Sequence, residues 1–311
     1  MWQKLCEIWK NTGEKQMNIL TVEGLSYYKR KHIIYQNISI NLSKGECYVI
    51  MGRDNEGKTS LLRGILGLEK AAEGSVIWGE GIEIKTLFRN QIGFVSDELL
   101  GFEKMTGVQL LDMIISLKKG DYLEKADELL QYFGINPAVP VEYMDENTNK
   151  CIYLISVLMQ SPPVLILDEP FNFLNEETAD RLRSWLKRYC KEGNTVLITS
   201  DNYPDVADIC TKLSVLKNRK LLRTDINPAV FHQQKFLTVK GENKIEASQN
   251  QWKDCLLRLI YEEDGETGYL FEGTADKLVL LLKTLKSEDF IIEDISIEEQ
   301  LYSDYEWMEE G

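Results

Sequence analysis

From Ile19 onward the apolar residues gather in short runs separated by polar turns. ILTVEGL, NISINL and CYVIMG read as strands, and SLLRGILGL reads as a helix. IGFVS is strand-like, and residues 98–150 are expected to be largely helical. GVQLLDMIISLKK and LEKADELLQYFG there carry apolar residues three and four apart. VLILD is apolar at every position before its aspartate, as in a central parallel strand covered on both faces. NTVLITS reads the same way, and ETADRLRSWLKRYC between them is a helix. Asn175 is its expected N-cap, with Glu176 and Glu177 favourably placed in the first turn. Strands alternating with helices predict an α/β fold built on a parallel sheet.

The pattern changes near Asn227 and Pro228. FLTVKG, LLRLIYEE and GYLFEG read as strands, ADKLVLLLKTLK as a helix, FIIEDISI as a strand, and an acidic helix closes the chain. The expected division is an extension over 1–16, a main domain over 17–225 and a small α+β accessory domain over 226–311. In the extension, Trp2, Leu5, Cys6 and Trp9 share one helical face. That face is read as docking on the domain, in preference to lying at a membrane interface.

Charge and composition narrow the function. The 311 residues carry 36 basic and 50 acidic side chains, for a formal net charge of −14. This argues against general affinity for nucleic acid or for an anionic membrane surface. The six cysteines form no CxxC pair, and two histidines are too few for a histidine-based metal site. No apolar run is long enough to span a bilayer. A reduced, cytoplasmic protein is expected.

Gly52, Gly57, Lys58 and Thr59 complete the pattern GxxxxGK[ST] within GRDNEGKTS, between a strand and a helix. Such a loop cradles phosphates with successive backbone N–H groups and a helix N-terminus. Lys58 then reaches the β- and γ-phosphates, and the Thr59 hydroxyl ligates magnesium. Asn55 suits a positive φ, and Asp54 and Glu56 need not face the phosphates. Further on, VLILDEP sets Asp168 at a strand end, where a magnesium-bound water needs a carboxylate. Glu169 beside it is placed to act as general base on the attacking water.

With these motifs in order, the chain from about Leu20 to Asp225 resembles an ATP-binding cassette (ABC) transporter ATPase. GRDNEGKTS, VLILDEPFNFLN and NTVLITSDNYPDVADICTKLSVLKNRKLL carry the resemblance. It implies a P-loop NTPase core with a helical subdomain and a site for ATP and Mg2+. Tyr28, or else Tyr27, takes the adenine-stacking position, and Ser60 follows Thr59 in the phosphate loop. Asp97 stands where the family has a glutamine, as a further candidate magnesium ligand. The closing segment IIEDISIEEQLYSDYEW is similar to the ends of ATPases serving drug, bacteriocin or peptide exporters. The family's partners are an integral membrane permease subunit and a second ATPase, identical or different, with no nucleic acid. The chain would thus sit on the inner face of the cell membrane through the permease.

The chain also departs from the family. MDENT, Met144 to Thr148, stands where the family has LSGGQ, and Asp201 replaces the histidine that bonds the γ-phosphate. Asn175 replaces the aspartate of the loop after the second motif. Asp97, Asp145, Glu146 and Asp201 would all bring negative charge towards the terminal phosphate. Each unscreened like-charge contact costs on the order of 1–4 kcal/mol. The expectation is an ATP-binding transporter subunit of the exporter type that hydrolyses slowly or only with a competent partner. The alternative is a non-catalytic regulatory or scaffold subunit.

Overall fold

The computed structural model describes residues 18–79, 91–97, 104–118 and 120–226, four strands between 234 and 294, and single residues 102 and 278. The extension at 1–16, the helix expected at 275–286 and the acidic closing helix lie outside the described residues. Two compact units are formed, Met1–Ile226 and Asn227–Gly311.

The first unit contains two sheets. β1 (Asn18–Lys29) pairs antiparallel with both β2 (His32–Ser43) and β4 (Glu73–Trp78). Its alternating inward residues Leu20, Val22 and Leu25 are buried with Tyr35, Ile38, Ile40 and Leu42 of β2. The second sheet has six strands: β3 (Cys47–Gly52), β5 (Ile92–Val95), β6 (Val164–Asp168), β7 (Thr195–Ser200), β8 (Lys212–Lys217) and β9 (Lys220–Ile226). Their spatial order is β5-β6-β7-β3-β8-β9, parallel except for the antiparallel edge strand β9. Every residue of β3, β6 and β7 is buried, which accounts for the unbroken apolar runs there. Sequence reading assigned neither β4, which is half exposed with weak alternation, nor the β8–β9 hairpin.

Among the described residues the unit also has six α-helices: α1 (Lys58–Ile65), α2 (Gly107–Lys118), α3 (Leu123–Phe133), α4 (Glu146–Leu158), α5 (Glu176–Lys191) and α6 (Tyr203–Val206). α2 and α3 fall in the region expected to be helical, and α4 runs beyond that region's expected end, stopping at Leu158 before β6 begins at Val164. α5 buries Ala179, Leu182, Trp185, Leu186 and Tyr189, spaced three and four apart. Asn175 caps it by accepting from the Thr178 N–H at 2.9 Å, and Glu176 and Glu177 occupy its first turn.

The second unit is built around an antiparallel sheet ordered β11-β12-β10-β13, from β10 (Gln234–Lys240), β11 (Leu256–Glu263), β12 (Glu266–Glu272) and β13 (Phe290–Asp294). All four strands lie in segments whose patterning is strand-like.

Candidate nucleotide site

β3 ends at Gly52 and α1 begins at Lys58, so residues 53–57 form a loop between a central strand and a helix. Asn55 has φ of 65° and Gly57 has φ of 101°. Asparagine tolerates that conformation, whereas a side chain at 57 would be strained and its Cβ would lie 2.7 Å from the Ile34 carbonyl oxygen. Gly57 gives α1 no side-chain cap. The first N–H groups of the helix thus face the cleft ready for an anion.

The cleft has a volume of about 320 Å³, and its lining includes Arg53, Asn55, Gly57, Lys58, Thr59, Ser60, Asp97, Glu169 and Asn172. Ile34 and Asp54 also line it, whereas Tyr28 is not among the lining residues. Glu56 turns away: its Oε2 accepts from the Arg219 N–H at 3.1 Å, in the turn between β8 and β9.

Lys58 lies almost buried, with its Nζ 2.8 Å from Glu169 Oε1 and donating to the Gly52 and Arg53 carbonyls. Glu169 is held at φ of 44°, uncommon for a residue with a side chain. Its Oε2 accepts from the Asp201 N–H at 3.3 Å. Burial pushes the Glu169 carboxyl up to about 7, opposed by Lys58 and assisted by the charges of Asp201 and Asp168. Such a carboxyl is poised to take up and release a proton near neutral pH.

Asp168 is fully buried at the end of β6. Its Oδ1 accepts from Thr199 Oγ1 at 2.6 Å, while Oδ2 is buried without a hydrogen-bond partner. A buried carboxylate oxygen left unsatisfied is costly unless a cation or ordered water completes it. The Thr59 hydroxyl lines the cleft and Asp168 does not, so the open Asp168 oxygen suits a water of a magnesium ion's shell rather than the ion itself.

The acids read as repulsive have other attachments. Asp145 caps α4, its Oδ1 accepting from the Thr148 N–H at 2.7 Å, and Glu146 lies in that helix's first turn. Asn147 Oδ1 accepts from the Asn175 N–H at 2.9 Å, tying this segment to the loop after β6. Asp201 meets Glu169 through its backbone. Asp97 does line the cleft, but its Oδ1 is engaged by Lys150 Nζ at 3.3 Å and Asn172 Nδ2 at 3.4 Å. Sequence reading missed Lys150, which is wholly buried on α4. Burial lowers its pKa, against the opposing pull of Asp97 first and then of Asp168 and Glu169.

Comparison with known proteins agrees with this geometry. Residues 35–172 match the ABC transporter family model. A solved ATP-binding subunit of an ABC transporter superposes with a TM-score of 0.63 at 17% identity, covering 69% of this chain and 92% of the other. The chain has the ABC ATPase fold. CbiO1 from Clostridium perfringens, described as part of the ABC transporter complex CbiONQ, superposes on this chain with a TM-score of 0.56 at 25% identity, covering 68% of this chain and 89% of the other. Among curated relatives, the sulfate/thiosulfate import ATP-binding protein CysA of Neisseria meningitidis serogroup B is 24% identical over 225 residues. The alignment covers 69% of this chain and 63% of that relative's length. An uncharacterized ABC transporter ATP-binding protein of Bacillus subtilis, YhcH, is 26% identical, covering 66% and 68%.

Proposed function

We propose that this chain is the ATP-binding subunit of an ABC transporter, binding Mg-ATP in the cleft between the loop 53–57 and Glu169. The observation that carries the reading is the convergence of Lys58 and Glu169 on one cleft beside an uncapped helix N-terminus. The loop N–H groups and Lys58 hold the phosphates, and Glu169 takes a proton from the attacking water once Lys58 has turned to the nucleotide. Thr59, and Asp168 through a water, would hold magnesium, whose charge would neutralise the terminal phosphates.

No helix among the described residues is long and apolar enough to cross a membrane. The reading therefore includes a separate permease subunit, which would place the chain on the cytoplasmic face, and pairing with a second ATPase. The similarity of residues 291–307 to exporter ATPases favours export of a peptide or drug-like cargo. The import proteins among the relatives favour the opposite direction, and cargo choice is assigned to the permease.

Slow turnover is expected, because the serine and glycines of the LSGGQ position and the histidine at 201 are absent from this chain. A scaffold or regulatory subunit would bind Mg-ATP without hydrolysing it, and Asp145 and Asn147, tied up within the fold, favour that second reading. The test measures ATP binding and turnover on the chain together with its co-purifying subunits. Lys58→Ala is expected to weaken ATP binding by about 10- to 100-fold. Glu169→Gln is expected to keep binding and reduce turnover by about 100-fold or more. Nucleotide-dependent activity unchanged by both substitutions would sink the catalytic reading, and ATP binding indifferent to Lys58→Ala would sink the site.

A further inference from the structure

Asp97 poses a problem that its surroundings answer. It lines the same cleft as Lys58, Thr59 and Glu169, with its side chain 34% exposed, so its charge faces the cleft. It also lies at the Glu169 end. Asn172 bridges the two, donating its backbone N–H to the Glu169 carbonyl at 3.3 Å and its side-chain amide to Asp97 Oδ1 at 3.4 Å. Under the nucleotide reading, which this inference rests on, that end receives the terminal phosphate. An uncompensated carboxylate there would repel a triphosphate more than a diphosphate.

The compensation comes from the other side of Asp97. Lys150 is wholly buried, yet its Nζ reaches Asp97 Oδ1 at 3.3 Å. It sits on α4, just after the Asp145 cap, and belongs to the helical region rather than to the phosphate loop. A lysine ammonium is seldom withdrawn completely from water unless it is paired. Its position behind Asp97 makes a neutral pair out of a residue that would otherwise carry the wrong sign.

We propose that Lys150 is a positioning residue that neutralises and anchors Asp97, so that the cleft accepts a triphosphate and its preference for ATP over ADP depends on this pair. The consequence is a cleft whose electrostatics are set partly from α4. Any displacement of α4 that draws Lys150 away from Asp97 turns the cleft against the terminal phosphate.

The test is a charge cycle on the full chain, reading the dissociation constants of ATP and ADP by calorimetry, with magnesium and again with EDTA. Lys150→Met is expected to weaken ATP binding by about tenfold or more while changing ADP binding less. Asp97→Asn, which removes the carboxylate while Asp168 and Glu169 still favour the charged form of Lys150, is expected to shift the ratio of ATP to ADP affinity in the opposite direction. The double variant is expected to bring that ratio back towards the wild-type value. A residue that merely supported the fold would affect both nucleotides alike and would gain nothing from the second substitution.

Thermal unfolding identifies variants that have lost their structure. Should Lys150→Met not fold, Asp97→Asn and the double variant decide: a ratio raised in the first and restored in the second supports the pair. An unchanged ratio in Asp97→Asn overturns it. A wild-type chain that binds neither ATP nor ADP overturns the nucleotide reading itself. Wild-type binding of both, with a ratio indifferent to Lys150→Met, overturns the role of the pair alone.

Discussion

Glu169 combines a left-handed backbone, an ion pair and a burial-raised pKa in one residue. Below about pH 4.5 the folded and unfolded chains both hold its proton, and folding has no charge to bury. As pH rises, the unfolded chain ionises first while the folded site keeps its proton until about 7. Stability therefore falls across that window, by on the order of 3 kcal/mol. Urea unfolding of the wild type and Glu169→Gln between pH 4.5 and 8 is expected to show this loss in the wild type only. Parallel pH profiles would refute it. The meeting of Lys58, Thr59 and Glu169 at one cleft was legible in the chain because each belongs to a short contiguous motif between a strand and the segment after it. Lys150 was not legible, since its meaning depends on Asp97, 53 residues earlier and on another element. A lysine read along a helix looks like a solvated charge, and only the fold shows it withdrawn from water.

Among the elements, α4 shows how one segment serves two purposes. In sequence, Asp145 and Glu146 read as charges placed against a phosphate. In the fold they lie at the helix N-terminus, where unpaired N–H groups and the helix dipole favour acids. Asp145→Ala is expected to destabilise the chain by about 1 kcal/mol, with Asp145→Ser losing less, measured by chemical unfolding. Equal losses for the two would count against capping as the role of Asp145. The central strands β3, β6 and β7 were legible because burial on both faces demands unbroken apolar runs. β4 was not, because a half-exposed strand with weak alternation leaves little trace in the chain. Tyr28, placed by its distance along the chain, is not among the described residues lining the cleft, and the hairpin brings Ile34 to its wall.

For the molecule as a whole, the division at Ile226 separates the unit that holds the cleft from a small unit with its own antiparallel sheet. The described residues that line the cleft all come from the first unit. A chain ending at Ile226 is accordingly expected to retain the ATP affinity of the full chain, measured by calorimetry on both. A large loss of affinity would show that the second unit contributes to the site.

The hydrogen bond from the Arg219 N–H to Glu56 gives the acidic phosphate loop a different meaning. Glu56, which the sequence leaves free to point away from the phosphates, acts as a fastening. It pins the loop to the turn that starts β9, the strand along which the chain leaves the first unit. Changing that single carboxylate would leave every phosphate-facing group in place while loosening the loop's anchorage to a turn 163 residues away along the chain.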